Sequence, residues 1–433
     1  MHPLQNIIEN RKKGKKTGIV SICSANRFVV EASMNRAKKE NTYVLIEATA
    51  NQVNQFGGYT GMKPEDFRNF IFEIADRLQF ERERIILGGD HLGPLVWKDL
   101  PEELAMEYSH TLIHQFVSAG FTKIHLDTSM RLSTDDPDAM LETSVIAMRG
   151  ALLCKTAEEA AIKAGTKPVY IIGSEVPIPG GSQDEEDTVS VTTTESFVNT
   201  VETYRNTFKS LGLDDAFNRV IGVVVQPGVE FGDDSIHAYN REKAAHLIYK
   251  KNDYPNVVFE GHSTDYQLPE LMKQMNNDGI ALLKVGPALT FYMREGLFAL
   301  ELIEKALIDK KDQSDFSNIL DKTMVEKPDN WKKHYHGDEK QLKIKRKFSY
   351  SDRARYYIPD MNVNNAIQKL LSNLTNVSIP LTCLSQYMPM QYLKVRRGLL
   401  KNTPHDLLLD RIDNILDDYY YAIEPIPFNG GVR

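Results

Sequence analysis

Runs of aliphatic and β-branched residues recur through the first two-thirds of the chain, spaced so that one helix fits between each pair. They are Gly18–Cys23, Tyr43–Ala48, Arg84–Gly89, Lys123–Asp127, Val169–Ser174, Val220–Gln226, Val257–Gly261 and Ile280–Gly286. Each is apolar almost throughout instead of alternating, which predicts strands covered on both faces, as in a parallel sheet. Between them, Pro64–Leu78, Leu104–Ala119 and Glu195–Leu211 set apolar residues three and four apart and predict amphipathic helices. Eight strands alternating with helices is the rhythm of an α/β (β/α)8 TIM barrel, here placed over residues 1–308. A doubly wound open sheet would normally carry a Gly-rich turn after its first strand. Cys23-Ser24-Ala25-Asn26 follows instead, so the barrel is the expected fold.

The rhythm stops near Asp309. Lys310-Lys311-Asp312-Gln313-Ser314-Asp315 reads as a solvated connector, and residues 309–433 are charged, aromatic-rich and helical in pattern. Asn364–Leu374 and His405–Tyr420 are its clearest amphipathic segments, with Pro380 and Pro389 breaking the chain between them. The expectation is a helical extension packed on the barrel. Composition adds exclusions. With 52 basic and 59 acidic residues the net charge is −7, which gives no footprint for nucleic acid or an anionic membrane. No apolar run reaches the ~20 residues of a membrane helix. Met1–Lys16 has no apolar core of a secretory signal, and the three widely spaced cysteines suit a reducing cytoplasm.

In such a barrel the site lies at the carboxyl ends of the strands, and ionisable residues collect there. Strand 2 ends in Glu47 and runs into Asn51, Gln55 and the glycines of Gly57–Gly61; strand 3 ends in Asp90-His91 and strand 4 in His125-Leu126-Asp127. Strand 5 ends in Ser174-Glu175 before Gly180-Gly181, strand 6 in Gln226, strand 7 in His262 and strand 8 in Lys284-Val285-Gly286. His91, Glu175 and His262 form a two-histidine, one-carboxylate set suited to Zn²⁺, Mn²⁺ or a similar divalent ion, with Gln226 and Asp127 as fourth-ligand or supporting candidates. Asp90 could relay protons beside that ion, or merely cap a helix. Lys284 is either a counter-charge or, on a metal-free route, a Schiff-base nucleophile. The glycine loops, Gly286 included, are anion-binding amides or simple turns. The remaining nine of eleven histidines, among them His110, His114, His334 and His336, read as helical or solvated, and Lys343–Lys347 as solvated surface.

Several long segments carry a resemblance. IEATANQVNQFGGYTGM (46–62), ERIILGGDHLGP (83–94), GFTKIHLD (120–127), GSEVPIPGG (173–181), VVVQPGVEF (223–231), EGHSTDYQ (260–267) and LKVGPALTF (283–291) are similar to the Z-subunit family of tagatose-bisphosphate aldolase. The likeness continues through Tyr350-Ser351-Asp352-Arg353 and Ile379-Pro380-Leu381. It implies a barrel related to the metal-dependent, class II ketose-bisphosphate aldolases, whose Asp-His pair resembles Asp90-His91 and whose Gly-His pair resembles Gly261-His262. Another aldolase zinc histidine falls near Gln226, so the resemblance leaves Glu175 to complete the site. Two functions follow as expectations. The first is a metal-dependent ketohexose 4-epimerase for tagatose and fructose or their phosphates. Zinc would be its ion, with manganese, nickel or cobalt as alternatives. Asp90 or Asp127 would act as the base, and Glu47, Asn51, Gln55, Lys284 and Gly286 would lie against the substrate. The second is an accessory subunit that stabilises a catalytic aldolase chain. Related barrels associate, so a homo-oligomer is also expected. The kinase label attached to such sequences finds no ATP phosphate loop here.

Overall fold

The computed structural model describes residues 1–175 and 189–428. Eight parallel strands close into a barrel: β1 (Ile19–Cys23), β2 (Val44–Thr49), β3 (Ile85–Leu92), β4 (Lys123–Leu126), β5 (Val169–Ile172), β6 (Val220–Val225), β7 (Val258–Gly261) and β8 (Ile280–Val285). Each neighbours the next in sequence, and β8 returns to β1 in the register Ser21 opposite Lys284. One long helix follows every strand, as the alternation predicted: Arg27–Glu40, Pro64–Leu78, Glu102–Ser118, Thr143–Ala164, Thr194–Ser210, Arg241–Lys251, Pro269–Asn277 and Pro287–Leu307. Local chemistry starts several of them. Asn26 accepts from the Phe28 N–H at 2.9 Å, Thr193 caps through Ser196 and Asn240 through Lys243, satisfying amides the helix itself leaves open.

Side chains on a strand alternate between faces, so every second residue enters the barrel. At the amino-terminal end those inward positions are apolar: Ile19, Leu45, Ile86, Val169, Ile171, Ile221, Val258 and Leu282 form one cluster. Leu4, Ile7 and Ile8, at the start of the helix Gln5–Lys12, plug it from below. Two residues further along three of these strands the character flips, Leu45 giving way to Glu47, Val258 to Glu260 and Leu282 to Lys284, and these are buried together with Lys123 of β4.

Two details depart from the expected elements. β3 continues past Gly89 to Leu92, because the β3–β4 register shifts between Gly89 and Leu92 and pairing resumes at Leu92 opposite Leu126. A short antiparallel ladder, Glu230–Phe231 with Ile236–His237, stands after β6 where no strand was expected. Beyond the barrel a helical region is present, from Phe316–Glu326 to Pro404–Ala422. Its last helix packs on Arg27–Glu40, Pro269–Asn277 and Pro287–Leu307 and buries Leu407, Leu408, Ile412, Ile415, Leu416 and Tyr419 in the same apolar core as the barrel's helices. Pro380 and Pro389 start helices there, consistent with the tolerance of proline at a helix's first turn.

Candidate active site

Above the apolar floor lies a layer of buried charge. Lys123 Nζ sits 2.6 Å from Glu47 Oε1 and 2.6 Å from Glu260 Oε2, with all three side chains fully enclosed. Lys284 Nζ lies 2.6 Å from Glu47 Oε2, 2.6 Å from Asp90 Oδ1 and 3.5 Å from Glu260 Oε1. Burying such charges is costly unless each is paired, and here each carboxylate meets an ammonium. Burial alone would lower the Lys284 pKa, but Asp90, Glu260 and Glu47 outweigh it and hold the ammonium well above its ordinary value. Lys284 thus stands as the counter-charge of three carboxylates.

One step higher, Asp90, His91, His125 and His262 present ligand atoms that all lie within 4.8 Å of one another, every residue buried. Alternation would send Asp90 inward and His91 outward. The backbone prevents this: His91 adopts φ 47°, the left-handed region, in the register shift of β3, so both side chains reach the site. Gly93 makes the turn possible, since a Cβ there would stand 1.8 Å from the Asp127 carbonyl oxygen. Ser263 (φ 54°), next to His262, is similarly left-handed. Such backbone costs about 1–3 kcal/mol per residue and persists where the surroundings enforce it.

The imidazoles are oriented by carboxylates. His91 Nδ1 lies 2.7 Å from Asp127 Oδ2, while Asp127 Oδ1 accepts from the Ser129 hydroxyl at 2.7 Å. His125 Nδ1 lies 2.8 Å from Asp90 Oδ1. His125 Nδ1 also lies 3.3 Å from the His91 backbone nitrogen, which donates to it; where Nδ1 faces a carboxylate as N–H, Nε2 keeps its lone pair, an arrangement familiar from metal-ligating histidines. Burial would raise the Asp127 pKa, but hydrogen bonding and charge from His91 bring it down to about 2. Asp90 is likewise held well below the usual carboxylate range, against burial, by His91, Lys284 and His125. His262 is pushed down to about 3, mainly by burial, and is neutral. Among the described residues, neither His262 nitrogen nor His125 Nε2 has a hydrogen-bond partner, although all three atoms are buried. Two imidazoles with orphaned nitrogens, a third held by Asp127 and a carboxylate beside them fit a divalent cation.

The cluster opens into a cavity of about 130 Å³ lined from the barrel by Cys23, Asn51, Tyr59, Ser263, Asp265, Gly286 and Thr290, and from the carboxyl-terminal region by Arg355, Tyr356 and Ile358. The model of the D-tagatose-1,6-bisphosphate aldolase subunit GatZ/KbaZ-like family matches residues 4–424. The chain belongs to this family. Among solved structures, this GatZ/KbaZ-like chain is similar to a probable tagatose 6 phosphate kinase from Sinorhizobium meliloti 1021, at 44% identity and TM-score 0.87 over 94% of this chain and 100% of that one. It aligns loosely with the YdjI aldolase from Escherichia coli K12 (13% identity, 84% and 93% covered, TM-score 0.41). The fructose-bisphosphate aldolase (Fba) from Campylobacter jejuni gives 13% identity, 86% and 91% covered, and TM-score 0.44. Likeness at that level says nothing of what this chain does.

The residues expected at the rim divide into two groups. Asp90, His91 and His262 converge, with Asp127 behind His91 and Lys284 beside Asp90. Glu175 does not join them: it is exposed and accepts from Thr192 Oγ1 at 2.9 Å and Ser196 Oγ at 2.5 Å. Gln226 turns onto its own loop, where Oε1 accepts from the Gly228 and Val229 amides at 2.8 and 2.9 Å. His125, whose place in the sequence reads as helical or solvated, lies in the cluster instead. Its position two residues before Asp127 on one strand was the available signal, because period two puts both on the inward face. Glu47 lies beneath the cluster, tied to both lysines. Asn51 lines the cavity, whereas Gln55 does not and instead donates from Nε2 to the Tyr108 carbonyl at 3.0 Å. The Gly286 amide donates to Asp265 Oδ1 at 3.1 Å. Gly180-Gly181 lies outside the described residues. Among those residues, no helix is long and apolar enough to cross a membrane.

Proposed function

We propose that this chain is a divalent-metal enzyme that inverts C4 of a ketohexose or ketohexose phosphate by opening and re-forming the C3–C4 bond. The observation that carries the reading is the set of buried, partnerless imidazole nitrogens on His125 and His262 next to the Asp90–Lys284 ion pair. His91, His125 and His262 would hold the ion, which departs from a set completed by Glu175. A bound divalent ion supplies Lewis acidity toward the substrate's carbonyl and hydroxyl oxygens. Zinc suits the donor set, and manganese, nickel or cobalt would also be accepted.

Asp90 is the acceptor for the C4 hydroxyl proton. It stays ionised at neutral pH because Lys284 and the histidines surround it, and it lines the cavity. As that proton moves to Asp90, the O–H electron pair becomes the second C4–O bond. The C3–C4 pair passes to the other fragment, giving an aldehyde and an enediolate. Attack on the opposite face of the aldehyde and return of the proton complete the inversion. Asp127 keeps the His91 ring aligned and is a positioning residue. Asn51 and Lys284 line the space in which the fragments must be retained. Release of the fragments from the same site would be aldol cleavage.

A second reading has its own support. The family is described as an aldolase subunit, and Lys123 and Lys284 already balance much of the carboxylate charge without any ion. A chain of this kind could stabilise a catalytic aldolase partner. Purified chain stripped with EDTA and reloaded with Zn²⁺, Mn²⁺, Ni²⁺ or Co²⁺ separates the two. Metal-dependent interconversion of tagatose and fructose, or of their phosphates, is the expected result. No turnover alone, with activation of an added aldolase, would favour the subunit.

A further inference from the structure

We infer that Arg355, which the carboxyl-terminal region brings to the cavity, is the anion anchor of the site and holds a terminal oxyanion of the bound sugar. Among the described residues, two lysine or arginine side chains line the cavity, Lys284 and Arg355. Lys284 is consumed by Asp90, Glu47 and Glu260. Arg355 is not: among the described residues no carboxylate pairs with its guanidinium. Nη1 donates to the carbonyl oxygens of Ser351 and Asp352, the latter at 3.1 Å, and Nη2 donates to the Tyr356 hydroxyl at 2.9 Å. Of five N–H donors, the Nε–H and one on Nη2 remain without a partner among the described residues. A guanidinium with two donors left over is matched to phosphate or carboxylate oxygens.

The segment that carries Arg355 is built to hold it still. Asp352, buried and left-handed at φ 42°, accepts from Arg294 Nε at 2.7 Å and from the Thr290 hydroxyl at 2.6 Å, which fastens it to the helix Pro287–Leu307. The Tyr266 hydroxyl donates to the Tyr350 carbonyl at 2.5 Å from the β7 side. The Arg355 guanidinium carbon stacks 4.4 Å from the centre of the Tyr356 ring, whose edge meets Tyr59. Preorganisation of this kind removes the ordering cost that a free arginine would bring to binding. The other anion position that barrels commonly use, the start of the helix after β8, is already filled. Asp265 Oδ1 accepts from the Gly286 and Ala288 amides at 3.1 and 2.8 Å. Of these two positions, Arg355 is the one with donors left for an anionic substrate group.

The sugar part of this ligand rests on the proposed function; the anchor itself does not. The experiment is calorimetric titration of the full chain, as purified and metal-loaded, with three probes: a ketohexose 6-phosphate, a ketohexuronate and the neutral ketohexose. An anionic probe is expected to bind at least about tenfold more tightly than the neutral one, the scale of a charge-assisted hydrogen bond. Which anion is preferred distinguishes phosphate from carboxylate. Arg355→Gln should erase the preference while metal content and thermal midpoint hold, and Arg355→Lys should restore part of it. Inorganic phosphate should compete with the ketose phosphate on the parent chain and not with the neutral sugar, a readout needing no variant. Equal binding of all probes, binding of none, or a preference that survives Arg355→Gln overturns the anchor. An Arg355-dependent preference without C4 interconversion would sink the epimerase reading and leave the anchor. Interconversion of the neutral sugar with no preference would do the reverse.

Discussion

The two ends of the barrel interior use the same inward strand positions for opposite purposes. At the floor, Leu45, Val258 and Leu282 share one apolar cluster with the plug of Leu4, Ile7 and Ile8. Two residues along the same strands, Glu47, Glu260 and Lys284 form a closed charge network with Lys123. The floor gains by removing hydrocarbon from water. The rim spends part of that gain to hold charges and unpartnered imidazoles in place, and nothing in the cluster would be chosen for stability alone. Stability and chemistry are thus separated by about two residues of strand.

Four substitutions would break or sharpen this contrast. His262→Ala has the largest expected effect: bound metal and any ketose interconversion should disappear, while unfolding free energy changes by less than about 1 kcal/mol, since a partnerless buried polar group is removed. Metal content equal to the parent's would take His262 out of the ligand set. Lys123→Met should destabilise by about 3–5 kcal/mol in urea titration, because it strips a buried counter-charge from Glu47 and Glu260; a loss near zero would mean water enters the network. Leu45→Ala, on the floor, should cost about 2–5 kcal/mol through lost burial and a cavity, yet leave metal stoichiometry intact. If metal affinity falls with it, the two ends are coupled and the contrast fails.

Asp127→Asn should be mildest, weakening metal affinity about 10–100-fold through loss of the His91 orienter. It also has a pH signature. The folded Asp127 pKa is depressed from its ordinary 3.8 to about 2. Its stabilisation is therefore present above pH 4 and lost as pH falls toward 2, amounting to about 2 kcal/mol. The acid limb of the stability curve should be shallower over that window in the variant. Superimposable limbs would refute the pairing as a source of stability.

Much of the architecture could be read along the chain. Continuous apolar runs mark strands covered on both faces, and the eight turns of strand and helix followed from them. Asp90, His91 and His262, which lie near one another at the rim, each stand at the end of such a run. Glu175 and Gln226 stand at strand ends in the sequence too. Their side chains bond locally to Thr192 and Ser196, and to Gly228 and Val229, instead of crossing the mouth. His125 carries, as one imidazole within a run, no mark of the neighbours it meets across the barrel.

Along the chain, hydrophobic period specifies which face of an element is buried and roughly where it ends, since both follow from local geometry. Which ionisable groups meet depends on how strands tilt and shift when the sheet closes, and on a single left-handed residue at His91 that turns two adjacent side chains into one site. Arg355 belongs to the same class: it reaches the cavity from beyond the barrel because Asp352 is gripped by Thr290 and Arg294. Contacts between residues so far apart in sequence exist only after the chain has closed on itself.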